Sequence, residues 1–192
     1  VGHVHVRVLR GDWRMTDMHT LRRLIRAVGF AKPAHGDQKR KYTGNPYVDH
    51  LAEVAGIVST VANDYFGTPS LDTMIATAWL HDCVEDQGVT GAELSRRFGA
   101  KVQAGVLALS DLEIGNRAER KAASRARLAM APYWVQTIKC ADLISNTSSI
   151  VEHDPKFAVV YLEEKRMLLD VLTNASPRLL EIARAQAGAT HE

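Results

Sequence analysis

Apolar residues recur at intervals of three and four along almost the whole chain after residue 15. The segments 21–28, 51–61 and 71–78 are clear examples. This spacing puts the apolar side chains on one face of an α-helix, whereas a half-buried strand shows strict alternation. No hairpin signal and no alternation of strands with helices interrupts the pattern. The sequence therefore predicts an all-α fold of about seven to nine helices, in the single compact domain that is usual for 192 residues.

The N-terminus departs from this pattern. Valine occupies every second position over 4–8, which allows a short strand as one interpretation. Chain termini are often poorly ordered, so we favour an N-terminal leader over residues 1–15 that is disordered or foreign to the natural chain. His3 and His5 are therefore poor candidates for metal ligands. The folded domain is expected to cover residues 16–192.

Charge and cysteine content exclude several classes of protein. Lysine and arginine number 24 against 22 acidic residues, and the net charge of +2 does not indicate a general nucleic-acid binder. No segment approaches the roughly 20 apolar residues that span a bilayer. Two cysteines, Cys83 and Cys140, are too few for a disulfide framework and fit the reducing cytoplasm. We expect a cytoplasmic protein without nucleic-acid or membrane partners, and a homo-oligomer remains open.

The strongest local signal for chemistry is a group of polar residues that ends the apolar stripe over 71–78. His81 and Glu85 lie four residues apart, as do Asp82 and Asp86, so each pair shares a helix face. Imidazole and carboxylate groups together suit a divalent transition metal. The alternative is an ordinary solvated helix end. Apolar neighbours indicate partial burial, and burying several carboxylates without a cation is costly, which favours a metal site.

A metal site needs ligands from elsewhere in the chain, and two candidates stand out. His50 begins the second apolar stripe, although a lone histidine is more often a structural residue than a ligand. Asp142 places a charge in the middle of an otherwise apolar helix, with Lys139, Asn146 and Ser149 on the same face. Such a polar stripe either faces water or lines a site.

Two basic segments could contact phosphate groups. Arg40 and Lys41 lie in a basic run before His50, which is either a solvated loop or a clamp for phosphates and planar bases. The residues from Arg117 to Arg127 form a more dispersed basic run, for which an exposed helix face is the simpler interpretation.

At this point the sequence resembles a known family. His50, His81-Asp82 and Asp142 are similar to the H…HD…D signature of the HD-superfamily metal-dependent phosphohydrolases. The segments 34–50, 80–86 and 139–146 resemble, in order, the three motifs of the hydrolase domain of RelA/SpoT-type proteins, which act on the alarmone nucleotides of the stringent response. The resemblance covers residues 20–173, and its length matches the stand-alone small alarmone hydrolases, so an HD-type helical domain is expected.

The resemblance assigns roles to the candidate metal and catalytic residues. It implies a manganese ion held by four side chains: His50, His81, Asp82 and Asp142. It also implies that Glu85 and Asp86 position and activate the attacking water.

The resemblance also implies contacts with the nucleotide. Arg40 and Lys41 match family positions that contact the base and the phosphates. Asn146 and Ser149 match positions near the ribose and the 3′ phosphates, and Tyr161 matches an aromatic position beside the nucleotide.

The residues and the resemblance both lead to a metal-assisted attack of water on a phosphate. Glu85 or Asp86 would accept the proton, and Lys139 would join the basic loop in offsetting the charge of the diphosphate. The predicted reaction removes the 3′-diphosphate of (p)ppGpp or (p)ppApp, which yields pyrophosphate and GDP or GTP, or ADP or ATP.

Two other functions remain open from the sequence. The first is an HD phosphohydrolase of another nucleotide or of a dinucleotide cofactor, which would release orthophosphate. The second is a non-enzymatic module that binds an alarmone or neutralises a toxin. The Glu85-Asp86 pair argues against the second, because binding alone does not require a group that activates water.

Overall fold

The structure, a computed structural model, describes residues 15–62 and 69–188. These residues form ten helical segments, listed here in chain order: α1 (Met15–His35), α2 (Tyr47–Ser59), α3 (Leu71–Leu80), α4 (Cys83–Gln87), α5 (Gly91–Phe98), α6 (Ala100–Leu109), α7 (Arg117–Ala129), α8 (Tyr133–His153), α9 (Pro155–Leu169) and α10 (Pro177–Gly188). Residues 1–14 of the predicted leader lie outside the described residues, and His3 and His5 are among them.

The predicted all-α fold is confirmed. Within the described ranges the only β-type pairing is one isolated bridge between Lys39 and Pro46. The short α4 follows α3 after His81 and Asp82, whose backbones stay in the right-handed helical region. With α3 and α4 taken as one interrupted helix, the number of helices is nine, the upper end of the prediction. No helix in the described part of the chain is both long enough and apolar enough to cross a membrane.

Side-chain caps fix several helix starts. The Thr90 hydroxyl accepts a hydrogen bond from the backbone N–H of Glu93 at the start of α5. The Asp154 carboxylate accepts one from the N–H of Phe157, directly before the proline that opens α9. Asn116 begins α7 with a complete capping box, which the sequence prediction had not singled out. These caps satisfy backbone N–H groups that have no partner within a helix.

Two apolar clusters meet along α2 and α3. One contains Val54, Val58 and Ile138 and joins these helices to α8 and the C-terminal helices. The other contains Leu51 and Leu80 and joins them to α1 and the helices from α4 to α6. Because α2 and α3 contribute to both clusters, the end of α3 and the first turns of α2 are held firmly against α8. This junction is where the polar candidates of the three motifs lie.

Close packing at Gly105 provides a test of this core. A Cβ atom built on Gly105 of α6 would lie 2.3 Å from Cη2 of Trp134 and 2.9 Å from Cγ2 of Thr77. We expect Gly105→Ala to lower the free energy of unfolding by about 1–3 kcal/mol, because the helices must move apart. Gly56→Ala is the matched control, since its Cβ would meet nothing within 4 Å, and it should stabilise by about 0.5–1 kcal/mol. Urea denaturation of both variants measures the contrast, and equal stabilities would contradict the packing of α6.

A buried lysine links the last three helices. Lys165 of α9 is 1% exposed, and its ammonium group donates to Thr147 Oγ1 of α8 at 2.7 Å and to Gln186 Oε1 of α10 at 2.9 Å. Burial lowers the pKa of Lys165 from 10.5 to about 8, against a small opposing effect of Cys140.

This shift predicts a pH dependence of stability. Between pH of about 8 and 10.5 the unfolded chain holds a proton that folded Lys165 has lost, so the free energy of unfolding rises with pH in that window. Lys165→Met removes this contribution. Relative to the variant, the wild type should gain up to about 1.4 kcal/mol per pH unit there. Urea denaturation at several pH values measures the difference, and parallel curves would contradict the assignment.

Candidate metal and phosphate site

The four predicted metal ligands come together from three parts of the chain. His50 lies in the first turns of α2, His81 and Asp82 lie between α3 and α4, and Asp142 lies near the middle of α8. The apolar faces of α2, α3 and α8 pack against one another and carry these side chains to one place. His50, His81 and Asp142 are buried, and their ligand atoms lie within 4.8 Å of one another.

The atoms of this group face one another closely. Nε2 of His50 is 3.3 Å from Oδ1 of Asp142 and 3.6 Å from Oδ2 of Asp82. Nε2 of His81 is 2.9 Å from Oδ2 of Asp82 and 3.8 Å from Oδ1 of Asp142. The Tyr47 hydroxyl donates to the same Asp82 oxygen at 2.7 Å. Both histidines therefore direct the same nitrogen towards the two carboxylates.

Hydrogen bonds on the far side of each imidazole fix its tautomer. Nδ1 of His81 lies 2.8 Å from the Ala78 carbonyl oxygen, which can only accept, so Nδ1 carries the proton. Nδ1 of His50 lies 2.8 Å from the Ser145 hydroxyl. That hydroxyl donates to the Glu53 carboxylate at 2.7 Å and therefore accepts from His50. In the neutral form that can bind a metal, His50 and His81 thus both present the lone pair of Nε2 to the carboxylates, as metal-ligating histidines do.

The Nε2 atoms test whether this group fits a cation. Both are buried and make no hydrogen bond among the described residues. A buried polar atom without a partner costs about 1–3 kcal/mol, so two such atoms side by side need an explanation. Two imidazole lone pairs between two carboxylates form a donor set that suits a divalent transition metal. His50, His81, Asp82 and Asp142 therefore fit a divalent ion.

Charge at this place favours a cation as well. Burial alone would raise the pKa of Asp142, but the Lys139 ammonium at 2.8 Å and the two imidazoles hold it well below its ordinary value. Burial likewise opposes ionisation of Asp82, and His81 and His50 outweigh it and lower its pKa. Both carboxylates are therefore ionised at neutral pH. Their field raises the pKa of both histidines against the effect of burial, so a cation at Nε2 is favoured, either a proton or a metal ion that takes its place.

A cleft opens in front of the ligand group between α4, α7, α8 and α9. Acidic residues line it: Asp82, Glu85, Asp86, Asp111, Asp142 and Glu164. Basic residues line it as well, and several of them pair with these carboxylates: Arg117, Lys121, Arg125, Lys139 and Lys165. Aromatic rings complete the wall: Tyr47, Phe157 and Tyr161. Carboxylates beside cations and rings suit a ligand that has phosphate groups and a planar part.

The two predicted catalytic carboxylates border this cleft and have different partners. Oε2 of Glu85 accepts a hydrogen bond from the backbone N–H of Asp111 at 2.7 Å. Burial raises the pKa of Glu85 in spite of this bond. Oδ2 of Asp86 accepts a hydrogen bond from Nε2 of Gln38 at 2.8 Å. Both side chains thus reach the cleft beside the metal ligands, with each held by a group that the sequence prediction had not named.

Three of the predicted substrate residues line the cleft. Lys139 is paired with Asp142, and that carboxylate together with Asp111 raises the pKa of Lys139 in spite of burial. Asn146 donates from Nδ2 to Oδ1 of Asp142 at 2.7 Å. Tyr161 also lines the cleft, and burial raises the pKa of its hydroxyl to about 12.

The other three predicted substrate residues do not line the cleft. The guanidinium of Arg40 donates to the Ser145 carbonyl oxygen at 3.1 Å, to Oδ1 of Asn146 at 3.2 Å and to the hydroxyl of Ser149, which is buried, at 3.4 Å. Lys41 is exposed, with Nζ above the Tyr42 ring. Arg40 is therefore engaged with its own chain directly behind Asn146.

The basic run of α7 lies closer to the site than an exposed helix face implies. Arg117, Lys121 and Arg125 line the cleft, and Arg117 also pairs with Glu164 at 2.6 Å. These three residues are spaced by four, which places them on one helix face and was the signal available in the sequence. The Asp111 carboxylate accepts from Lys121 at 2.8 Å and links the start of the α6–α7 loop to α7.

The sequence matches a family model and several known proteins. The model of the HD domain family matches residues 27–168. A Synechocystis protein named probable guanosine-3′,5′-bis(diphosphate) 3′-pyrophosphohydrolase is 32% identical over 153 residues, which are 77% of this chain and 19% of that protein. An Aquifex aeolicus protein named guanosine-3′,5′-bis(diphosphate) 3′-pyrophosphohydrolase is 44% identical over 77 residues, 40% of this chain and 10% of that protein. The chain thus spans a fifth or less of the length of these relatives.

A solved structure shows the same fold. It is described as a metazoan ortholog of SpoT that hydrolyses ppGpp and has a role in starvation responses. It superposes with a TM-score of 0.75 at 22% identity and covers 85% of this chain and 93% of its own. The helical arrangement around the three motifs is therefore shared with a known protein of similar size.

Proposed function

The chain belongs to the HD domain family, and from this we propose that it is a manganese-dependent 3′-pyrophosphohydrolase of the alarmone nucleotides (p)ppGpp or (p)ppApp. The observation that carries the proposal is the pair of buried, unpartnered Nε2 atoms of His50 and His81 at the bottom of a cleft. Glu85 and Asp86 border the same cleft. The activities named for the Synechocystis and Aquifex proteins support the choice of substrate.

The metal ligands proposed for the site are His50, His81, Asp82 and Asp142. A divalent ion held there supplies Lewis acidity to the phosphoryl group and to the attacking water. The residues around it hold the ligands in place. Ser145 and the Ala78 carbonyl fix the two imidazoles, and Lys139 keeps Asp142 ionised.

Glu85 and Asp86 are proposed to position the water and to accept its proton. The raised pKa of Glu85 makes its carboxylate a stronger base for this task. Attack on the phosphorus that carries the 3′ oxygen breaks that P–O bond. Pyrophosphate leaves with the oxygen of the water, and the 3′ oxygen of the nucleotide takes up a proton.

The basic and aromatic residues that line the cleft are proposed to bind the nucleotide. Lys139 would offset charge on the 3′-diphosphate beside Asp142, and Asn146 and Tyr161 would contact the sugar and the base. Arg40, Lys41 and Ser149 remain proposed contacts of the bound substrate. Arg40 already fixes Asn146, so it can act on the substrate through that side chain.

One assay tests the proposal directly. Purified protein with manganese is incubated with ppGpp, ppApp and their pentaphosphate forms, and the products are separated by ion-exchange chromatography. Pyrophosphate together with the matching nucleoside diphosphate or triphosphate is expected. Release of orthophosphate would favour an HD phosphohydrolase of another nucleotide, and binding without turnover would favour a non-enzymatic module. Replacing manganese with magnesium or zinc in the same assay tests the metal.

We also propose that the protein works in the reducing cytoplasm. Both cysteines are free and buried, and burial raises the pKa of each thiol to about 12. Cys83 lies next to the metal ligand Asp82, where oxidation would disturb the site.

Arg40→Lys tests the role of the guanidinium. Lysine keeps the charge but cannot donate to Ser145, Asn146 and Ser149 at once, so Asn146 loses one of the two contacts that hold it. We expect KM for the nucleotide to rise about 10-fold with metal content unchanged, because such a contact serves ground state and transition state alike. Lys32→Arg, on the exposed side of α1, is the control and should match the wild type. An unchanged kcat/KM on both guanine and adenine substrates would favour the interpretation of the basic run as a solvated loop.

A further inference from the structure

The loop that follows α1 contains a side chain that contacts a proposed catalytic carboxylate from outside the cleft. Gln38 donates from Nε2 to Oδ2 of Asp86 at 2.8 Å. The two residues are 48 positions apart in the chain, so the contact depends on the fold and not on local geometry. Gln38 is not among the metal ligands or the proposed substrate contacts.

The neighbours of Gln38 determine which way its amide points. Oε1 accepts a hydrogen bond from Nδ1 of His35 at 2.7 Å and another from the side-chain amide of Gln87. With two donors on the oxygen, the amide nitrogen must face Asp86. A flipped amide would set its N–H groups against two donors and its oxygen against a carboxylate.

His35 is itself fixed in the tautomer that this arrangement needs. Its ring is 3% exposed and stacks on Tyr47 with 5.1 Å between ring centroids and 10° between planes. Nε2 lies 3.6 Å from the sulfur of Cys83. A carboxylate can only accept, so the Gln38 amide directs its N–H to Asp86 and its oxygen to Nδ1 of His35, which must donate. The donors run in one direction, from His35 through Gln38 to Asp86.

We propose that Gln38 is a positioning residue that fixes the carboxylate of Asp86 for proton transfer, and that His35 fixes the direction of the Gln38 amide. One oxygen of Asp86 is held by Gln38, which leaves Oδ1 for the water. The inference rests on the proposed function, because that proposal makes Asp86 a proton acceptor.

The test compares Gln38→Leu, Asp86→Asn and the double variant in steady-state hydrolysis of ppGpp with manganese. Gln38→Leu keeps the approximate volume and removes the amide. We expect kcat to fall about 10-fold or more, with KM and the manganese affinity measured by calorimetry both unchanged. The double variant should be no slower than Asp86→Asn, because Gln38 acts only through Asp86. Asp37→Asn, an exposed neighbour, is the control and should match the wild type.

Two outcomes would overturn the inference. One is a wild-type kcat in Gln38→Leu, and the other is a double variant whose loss of kcat is the product of the two single losses. A raised KM would instead make Gln38 a substrate contact. Loss of folding is excluded by thermal melting, and His35→Phe, which keeps a stacked ring without the donor, should lower kcat in the same way.

A second readout separates this inference from the proposed function. In ¹⁵N–¹H spectra the side-chain amide resonance of Gln38 should shift on Asp86→Asn and on His35→Phe. If the wild type does not hydrolyse any 3′-diphosphate nucleotide, the proposed function fails, and these spectra still decide whether Gln38 holds Asp86. A Gln38 resonance that both variants leave in place would overturn the contact.

Discussion

Asp142→Ala is expected to remove bound manganese and activity together. Asp142 places Oδ1 between the Nε2 atoms of His50 and His81, at 3.3 and 3.8 Å, so its loss takes away the oxygen that both imidazoles face. Even residues that only support a ligand typically contribute 10–100-fold to metal affinity, so we expect a loss of more than about 100-fold. Calorimetry with manganese and turnover of ppGpp measure the two effects.

The ion pair with Lys139 requires a control, because Asp142→Ala also leaves a mostly buried ammonium group without its carboxylate. Breaking a buried pair by removing one partner can destabilise a protein by about 3–5 kcal/mol. Lys139→Met breaks the same pair and keeps the ligand, so it should retain manganese. His81→Ala should repeat the loss of metal without touching Lys139. Full metal content and normal turnover in Asp142→Ala would contradict the site assignment.

The parts of the site that could be predicted from the sequence are those that local helix geometry determines. His81, Asp82, Glu85 and Asp86 lie on one turn and a short helix, so their spacing alone places them together. The polar face that contains Asp142 and Asn146 is equally local, because residues four apart on a helix are neighbours. That His50 joins this group depends on the packing of α2 against α8, and there the resemblance to known motifs supplied the link.

The remaining contacts depend on tertiary structure and leave no local pattern. Glu85 accepts a hydrogen bond from the backbone N–H of Asp111, which is 26 positions away in the chain. Any residue type except proline could supply this N–H group. Gln38 reaches Asp86 only because the loop after α1 packs beside α4. Arg40 was predicted as a substrate clamp from its residue type, but its guanidinium direction is set by acceptors on α8 and by Glu53 on α2.

The different electrostatic surroundings of the carboxylates explain why Glu85 and Asp86 can have a role different from that of the proposed ligands Asp82 and Asp142. Asp82 and Asp142 face buried imidazoles and are held ionised by them and by Lys139, so they attract a cation. Glu85 and Asp86 lie on the cleft side and accept hydrogen bonds from neutral donors, an amide N–H in each case. Groups of the first kind therefore suit the proposed metal site, whereas groups of the second kind suit the proposed exchange of a proton with water.

Glu85→Gln and Asp86→Asn are therefore expected to separate catalysis from metal binding. Each change keeps the size of the side chain and removes the basic carboxylate. We expect kcat for ppGpp to fall by roughly 100-fold or more, the usual contribution of a positioned general base, while manganese affinity stays at the wild-type level. Steady-state kinetics and calorimetry on the same preparations measure both quantities.

The effects of Glu85→Gln and Asp86→Asn on kcat should also depend on different neighbouring residues. Glu85 is held by the N–H of Asp111, whose carboxylate is in turn held by Lys121 and by Ser124 at 2.6 Å. Asp111→Asn weakens those contacts and should lower kcat by acting on Glu85, with no further loss when it is combined with Glu85→Gln. It should not alter the effect of Asp86→Asn, because Asp86 depends on Gln38 instead. Loss of manganese in both Glu85→Gln and Asp86→Asn would make these residues ligands, and the proton acceptor would then have to be another carboxylate of the cleft.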